Sequence, residues 1–155
     1  MIAAEDLLSY SKKLYEQKGD EIVLRNAARN AYYALYHRLL DLNVEEIPSS
    51  ERNYGSHELL IQQLRKCKTI EYRELGLLLS SLKSIRTKAD YRLEQRFSDN
   101  DAYSTVRKVE KAFKTLSVSE DLDNDSEVTK ETSDEAPVVV TNKKTICKPS
   151  LKVIK

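Results

Sequence analysis

The chain has 155 residues, 33% of them charged, with 3 Gly, 3 Pro and a net charge of +1. That length allows one domain with a modest core plus a tail, and so few breakers among many Leu, Ala, Glu, Lys and Arg predict an all-α protein. Two cysteines and two histidines are too few for a disulfide framework or a His-based metal cluster, so neither metal nor cofactor is expected.

Five helices are predicted. The N-terminus is acidic early and lacks a charged-then-apolar leader. The first helix covers about residues 3–18, with Leu7, Leu8, Ser11, Leu14 and Tyr15 along one side. Gly19 is positioned to close it. Asp20 is a suitable N-cap for a second helix that continues to about residue 43. Around that helix, Leu24, Ala27, Ala28, Ala31, Leu35, Leu39 and Leu42 fill one arc, while Arg25, Arg29, Tyr32, Tyr33, Tyr36 and His37 fill the next. A helix with so little ordinary solvated face belongs at the centre of a bundle, or is shared between a bundle and an oligomer interface. The tyrosines read as a core edge that tolerates hydroxyls, or as a platform for stacking nucleic-acid bases.

Residues 44–55, with Pro48 and Gly55, form a loop. Ser56 is expected to cap a short third helix, its apolar side Leu59, Leu60, Gln63 and Leu64. The fourth starts near residue 69 and reaches as far as 97, with the stripe Leu75, Leu78, Leu79, Leu82, Ile85, Ala89 and Leu93. Arg86 lies on that stripe, and Asp90 follows at the spacing of a helical ion pair. Tyr91 is about 140° around an ideal helix from Arg86. Ser98 and Asp101 have the spacing of a capping box, opening a fifth helix to about residue 116 with Ala102, Val106, Val109, Ala112 and Phe113 inward.

Beyond residue 117 the pattern fails. Residues 1–117 hold 20 Lys+Arg against 17 Asp+Glu, residues 118–137 hold 8 acids against one lysine, and residues 138–155 hold five lysines and no acid. This segment is too polar to offset its ordering entropy, so residues 118–155 are expected to form a disordered tail beside a helical domain at 1–117. No apolar run approaches the ~20 residues that span a bilayer. The chain is therefore expected to be soluble and cytoplasmic. The near balance of charge in the folded part weakens a reading as a plain nucleic-acid binder, which usually shows a basic excess.

The run Arg-Asn-Ala-Tyr-Tyr-Ala-Leu-Tyr-His at 29–37, then Gly55-Ser56-His57, then Arg86-Thr87-Lys88-Ala89-Asp90-Tyr91, resembles an uncharacterised prokaryotic branch of the HEPN domains. The likeness covers about residues 20–116. It implies a bundle of four or five helices, usually a homodimer. Many HEPN relatives are metal-independent endoribonucleases of toxin–antitoxin, CRISPR and antiviral modules, and others only bind RNA, nucleotides or a partner protein, one expected to be encoded nearby.

The catalytic members carry an arginine followed after four to six residues by a histidine. Here Arg86 matches and Tyr91 stands where the histidine would be. A histidine with a pKa near ~6.5 suits proton transfer at neutral pH, whereas a tyrosine near ~10 does not without a large downward shift. The motif thus leaves open whether the chain cleaves RNA, binds it, or docks a partner enzyme through the bundle or tail. On this resemblance Arg86, Asp90, Tyr91 and His37 are the candidate catalytic residues, and Arg29, Tyr33 and Lys88 the candidate RNA contacts. His37 or His57 would have to move the proton, which requires the second and fourth helices to face one another or to meet across a dimer axis.

Overall fold

A computed structural model describes residues 1–42 and 54–124, with side chains to residue 117. All regular structure among them is helical: α1 (Ala4–Glu16), α2 (Glu21–Leu40), α3 (Ser56–Lys66), α4 (Ile70–Tyr91) and α5 (Asp99–Asn124). Most of the predicted 44–55 loop, and the tail from 125 onward, lie outside the described residues.

The helix ends follow local chemistry. Asp6 accepts a 2.9 Å hydrogen bond from the Ala3 backbone N–H and so opens α1. At its other end the left-handed residue is Lys18 (φ 44°), not Gly19. Gly19 answers a different need, because a Cβ there would stand 2.7 Å from Val23 Cγ2. The predicted box at Ser98 forms: Asp101 Oδ2 accepts from the Ser98 backbone N–H at 2.9 Å, and Ser98 Oγ accepts from the Asp101 N–H at 3.2 Å.

Several ends differ from expectation: α2 stops at Leu40 rather than near residue 43, and Gly55, not Ser56, is the N-cap of α3. Helix α4 stops at Tyr91 rather than near residue 97, so Leu93 is exposed and leaves the stripe. Helix α5 runs past residue 117 to Asn124, since nothing in Ser-Val-Ser-Glu-Asp-Leu-Asp-Asn is a breaker.

Helix α2 is the centre of the bundle, packed against α1, α4 and α5, while α3 rests on α4. Its alanines Ala27, Ala28, Ala31 and Ala34 are wholly buried and let neighbouring helices close in; Leu35 and Leu39 fill the space between them. From α3, Leu60, Ile61 and Leu64 are buried, and from α4, Leu75, Leu79 and Leu82. Each fully buried Leu or Ile stabilises by roughly 1.5–3 kcal/mol. Leu59, expected inward, is exposed, and Ile61 takes the inner position. Helices α3 and α4 approach so closely at Gly76 that a Cβ there would lie 2.9 Å from Leu64 Cβ and 3.1 Å from the Arg65 backbone nitrogen. The buried Ser11 hydroxyl donates to the Ala27 carbonyl at 2.7 Å, joining α1 to α2.

Candidate functional site

Spacing on α2 puts Tyr32, Tyr33, Tyr36 and His37 on one arc, at i, i+1, i+4 and i+5. That arc meets the start of α3, which carries His57, and the last two turns of α4, which carry Arg86, Asp90 and Tyr91. Both histidines of the chain, four tyrosines and an arginine thus converge within one protomer. The second and fourth helices do face one another.

Arg86 is the hub. Its Cζ lies 5.3 Å from the ring centre of Tyr33, 5.4 Å from Tyr91 and 5.8 Å from Tyr32, each within cation–π range. One terminal nitrogen donates to the Tyr33 hydroxyl. Burial opposes the Arg86 charge, but the Tyr33 hydrogen bond and the nearby Tyr33, Asp90 and Tyr91 outweigh it and raise its pKa. An ideal helix separates Arg86 from Tyr91 by about 140°, yet the two meet. The arginine extends along α4 toward Asp90, and this carries the guanidinium up one turn to the Tyr91 ring. Tyr91 itself is 68% exposed.

Asp90 stands between two arginines. Its Oδ2 is 3.0 Å from Arg86 Nε, and its Oδ1 is 3.7 Å from Arg29 Nε. The Arg86 and Asp90 side chains are 15% and 17% exposed, whereas Arg29 is 53% exposed and forms the rim. The Arg86 Nε–H is not aimed at the carboxylate, despite the short distance. Nε is the buried side-chain atom left without a hydrogen-bond partner among the described residues. The contact is an ion pair by charge and distance, with one strong donor unspent.

His57 lies deeper than His37. Its Nδ1 is 2.9 Å from the Tyr32 hydroxyl, and its ring centre is 4.2 Å from Tyr36, 5.6 Å from Tyr32 and 5.9 Å from Tyr33. Burial lowers the His57 pKa, and the positive charges of Arg86, Lys83 and His37 lower it further. Burial likewise raises the Tyr32 phenol, with Arg86 pulling the other way. His37 is exposed, its ring centre 5.4 Å from Tyr36 and 6.4 Å from Tyr33.

Lys88 is not brought to the cluster. Its Nζ pairs with Asp101 Oδ2 at 2.9 Å and lies 5.5 Å from the Phe97 ring centre, tying α4 to the start of α5.

The residue that sequence reasoning undervalued is Arg25. It is 8% exposed and donates to the carbonyls of Lys88 (2.9 Å), Ala89 (3.0 Å), Arg92 and Gln95. Of these, Ala89 is a carbonyl at the end of α4 that the helix itself does not satisfy, while Lys88 also accepts from the Arg92 backbone N–H. Glu21 accepts from Arg25 Nε at 2.9 Å and from the Phe97 backbone N–H at 3.0 Å. Together they hold the end of α4 in place, and Asp90 and Tyr91 with it. The i,i+4 pairing of Glu21 with Arg25 is a readable signal; its target, more than sixty residues onward, is not.

No family model, curated protein or solved structure matches the chain. Among the described residues no helix is long and apolar enough to cross a membrane, and no three His, Cys, Asp or Glu side chains group to hold a metal ion. Chemically, the cluster offers a guanidinium for an oxyanion, aromatic faces for a base and two imidazoles for a proton.

Proposed function

We propose that this chain is a HEPN-type, RNA-directed protein of a prokaryotic defence or toxin–antitoxin module, whose Arg86 cluster takes a phosphodiester. The observation that supports this reading is the convergence of Arg86 with both histidines and Tyr33 on the facing sides of α2, α3 and α4. The reaction it supports is metal-independent transesterification. The ribose 2′-oxygen bonds to the adjacent phosphorus, losing its proton to an imidazole, and the 5′-oxygen leaves as it receives a proton. Arg86 stabilises the charge on the phosphorane. Tyr33 orients that guanidinium, and Arg29 extends the positive rim toward the next phosphate.

Incubating the purified chain with tRNA and with mixed RNA tests this. Cleavage to 2′,3′-cyclic phosphate ends, lost in Arg86→Ala, is the expected result. Cleavage unchanged in Arg86→Ala rules Arg86 out as the catalytic group.

A second reading is a non-catalytic module, a homodimer that docks a partner enzyme. The engagement of Arg86 by Asp90 and the exposed Tyr91 at the motif position favour it. On this reading RNA is neither cleaved nor bound, and deleting residues 125–155 weakens capture of the partner without unfolding the bundle.

A further inference from the structure

Tyr32 is 1% exposed, and His57 Nδ1 is the hydrogen-bond partner that its hydroxyl has among the described residues. One proton must lie between them. If the imidazole donated it from Nδ1, the phenol proton would be buried without an acceptor among the described residues, which is costly. If the phenol donates, its proton and Nδ1 are both satisfied and the imidazole proton resides on Nε2.

We infer that Tyr32 fixes His57 as the neutral Nε2–H tautomer, so that His57 is a hydrogen-bond donor to a phosphate oxygen held at Arg86 and not the proton carrier. This rests on the phosphodiester reading above. The surroundings keep the ring neutral. Arg86 and Lys83 face it from α4, and His37 faces it from α2. Glu58 on its own helix is committed to Lys83 at 2.7 Å. Tyr36, 4.2 Å away between ring centres, holds the ring plane. Arg86 and His57 both pack on Tyr32 and Tyr33, and we place the anion between them. The proton taken from the 2′-hydroxyl, and the one returned to the 5′-oxygen, then pass through His37, which solvent can reach.

Nitrogen-15 NMR of the histidine-labelled full chain tests this without any activity measurement. Two-bond proton–nitrogen correlations should show His57 protonated on Nε2 and bare on Nδ1 at pH 7.5, with a titration midpoint below 6.5. Tyr32→Phe should mix the tautomers and raise that midpoint. Titration with inorganic phosphate should shift the His57 Nε2 resonance in the wild type and leave it unmoved in Arg86→Ala. A wild-type His57 protonated on Nδ1 overturns the assignment even if Tyr32→Phe fails to fold. A phosphate titration that leaves Nε2 unmoved overturns the donor role. If both NMR results hold but RNA neither binds nor is cleaved, the phosphodiester reading fails while the tautomer stands.

Discussion

Arg86 and Asp90 lie one turn apart on α4, 3.0 Å from Nε to Oδ2, yet the N–H is not directed at the carboxylate. Asp90 therefore neutralises the arginine without using its donor, and it occupies the neighbourhood where an anionic ligand would bind. Asp90→Asn removes a competing charge from both Arg86 and Arg29. We predict that affinity for a labelled RNA oligonucleotide rises about tenfold, equivalent to ~1.4 kcal/mol. Stability should fall by about 1 kcal/mol, as for a modest ion pair. Fluorescence anisotropy and urea titration measure the two; weaker RNA binding in the variant would sink the competition.

Arg25→Lys should be nearly as damaging as Arg25→Ala. A lysine carries one nitrogen where the native fork serves Glu21 and four carbonyls. Leaving several of these partners unmet should cost roughly 2–4 kcal/mol in urea denaturation. A lysine variant as stable as the wild type contradicts the clamp.

Gly76→Ala sets helix propensity against sterics. Propensity favours alanine by about 1 kcal/mol. The added Cβ, however, would meet Leu64 Cβ at 2.9 Å and the Arg65 backbone, and overpacking costs typically ~1–3 kcal/mol. We expect a lower melting temperature and a displaced α3, read out as a shifted His57 resonance. A raised melting temperature would show that α3 yields freely.

Glu110 links α1 and α5 by accepting from Lys12 at 2.8 Å, and it also accepts from Arg107. The Lys12 and Arg107 hydrogen bonds hold its carboxyl down at about 2, from an ordinary 4.5. A carboxyl depressed in the folded state contributes stability that is fully present above its unfolded value and lost as pH falls through the folded one. Glu110→Gln should therefore lower stability at pH 7 and flatten its decline between about pH 4.5 and pH 2. Parallel declines in wild type and variant would refute the assignment.

Much of the fold was readable because its causes are local. The inward residues of α5 follow from periodicity alone, as do most of those of α4, and the Ser98–Asp101 box follows from a three-residue spacing. Apart from the end of α5, which local propensity extends, errors such as Leu59 and Leu93 occur where tertiary contact decides. Ile61 is buried in place of Leu59 on α3, the helix that lies close on α4 at Gly76. Leu93 leaves the stripe because α4 ends at Tyr91, where Arg25, remote in sequence, takes up the Ala89 carbonyl. The candidate site divides the same way. Arg86 and Asp90 are visible as an i,i+4 pair. The placement of Tyr91 depends on how the arginine extends, and that of His57 on how α3 docks. Lys88 is drawn off by Asp101, a partner no spacing rule on α4 reveals.

The Arg25 clamp also bears on how the molecule opens. Helix ends ordinarily fray, and their amides exchange with solvent through local fluctuations that cost little. Here the final turn of α4 and the segment to Phe97 are tied to the central helix by Arg25 and Glu21. Amide protons of Ala89 through Arg92 should accordingly exchange with the slow cooperative unit of α2, not with a fraying terminus. Asp90 and Tyr91 would then keep their places for as long as the central helix stays folded.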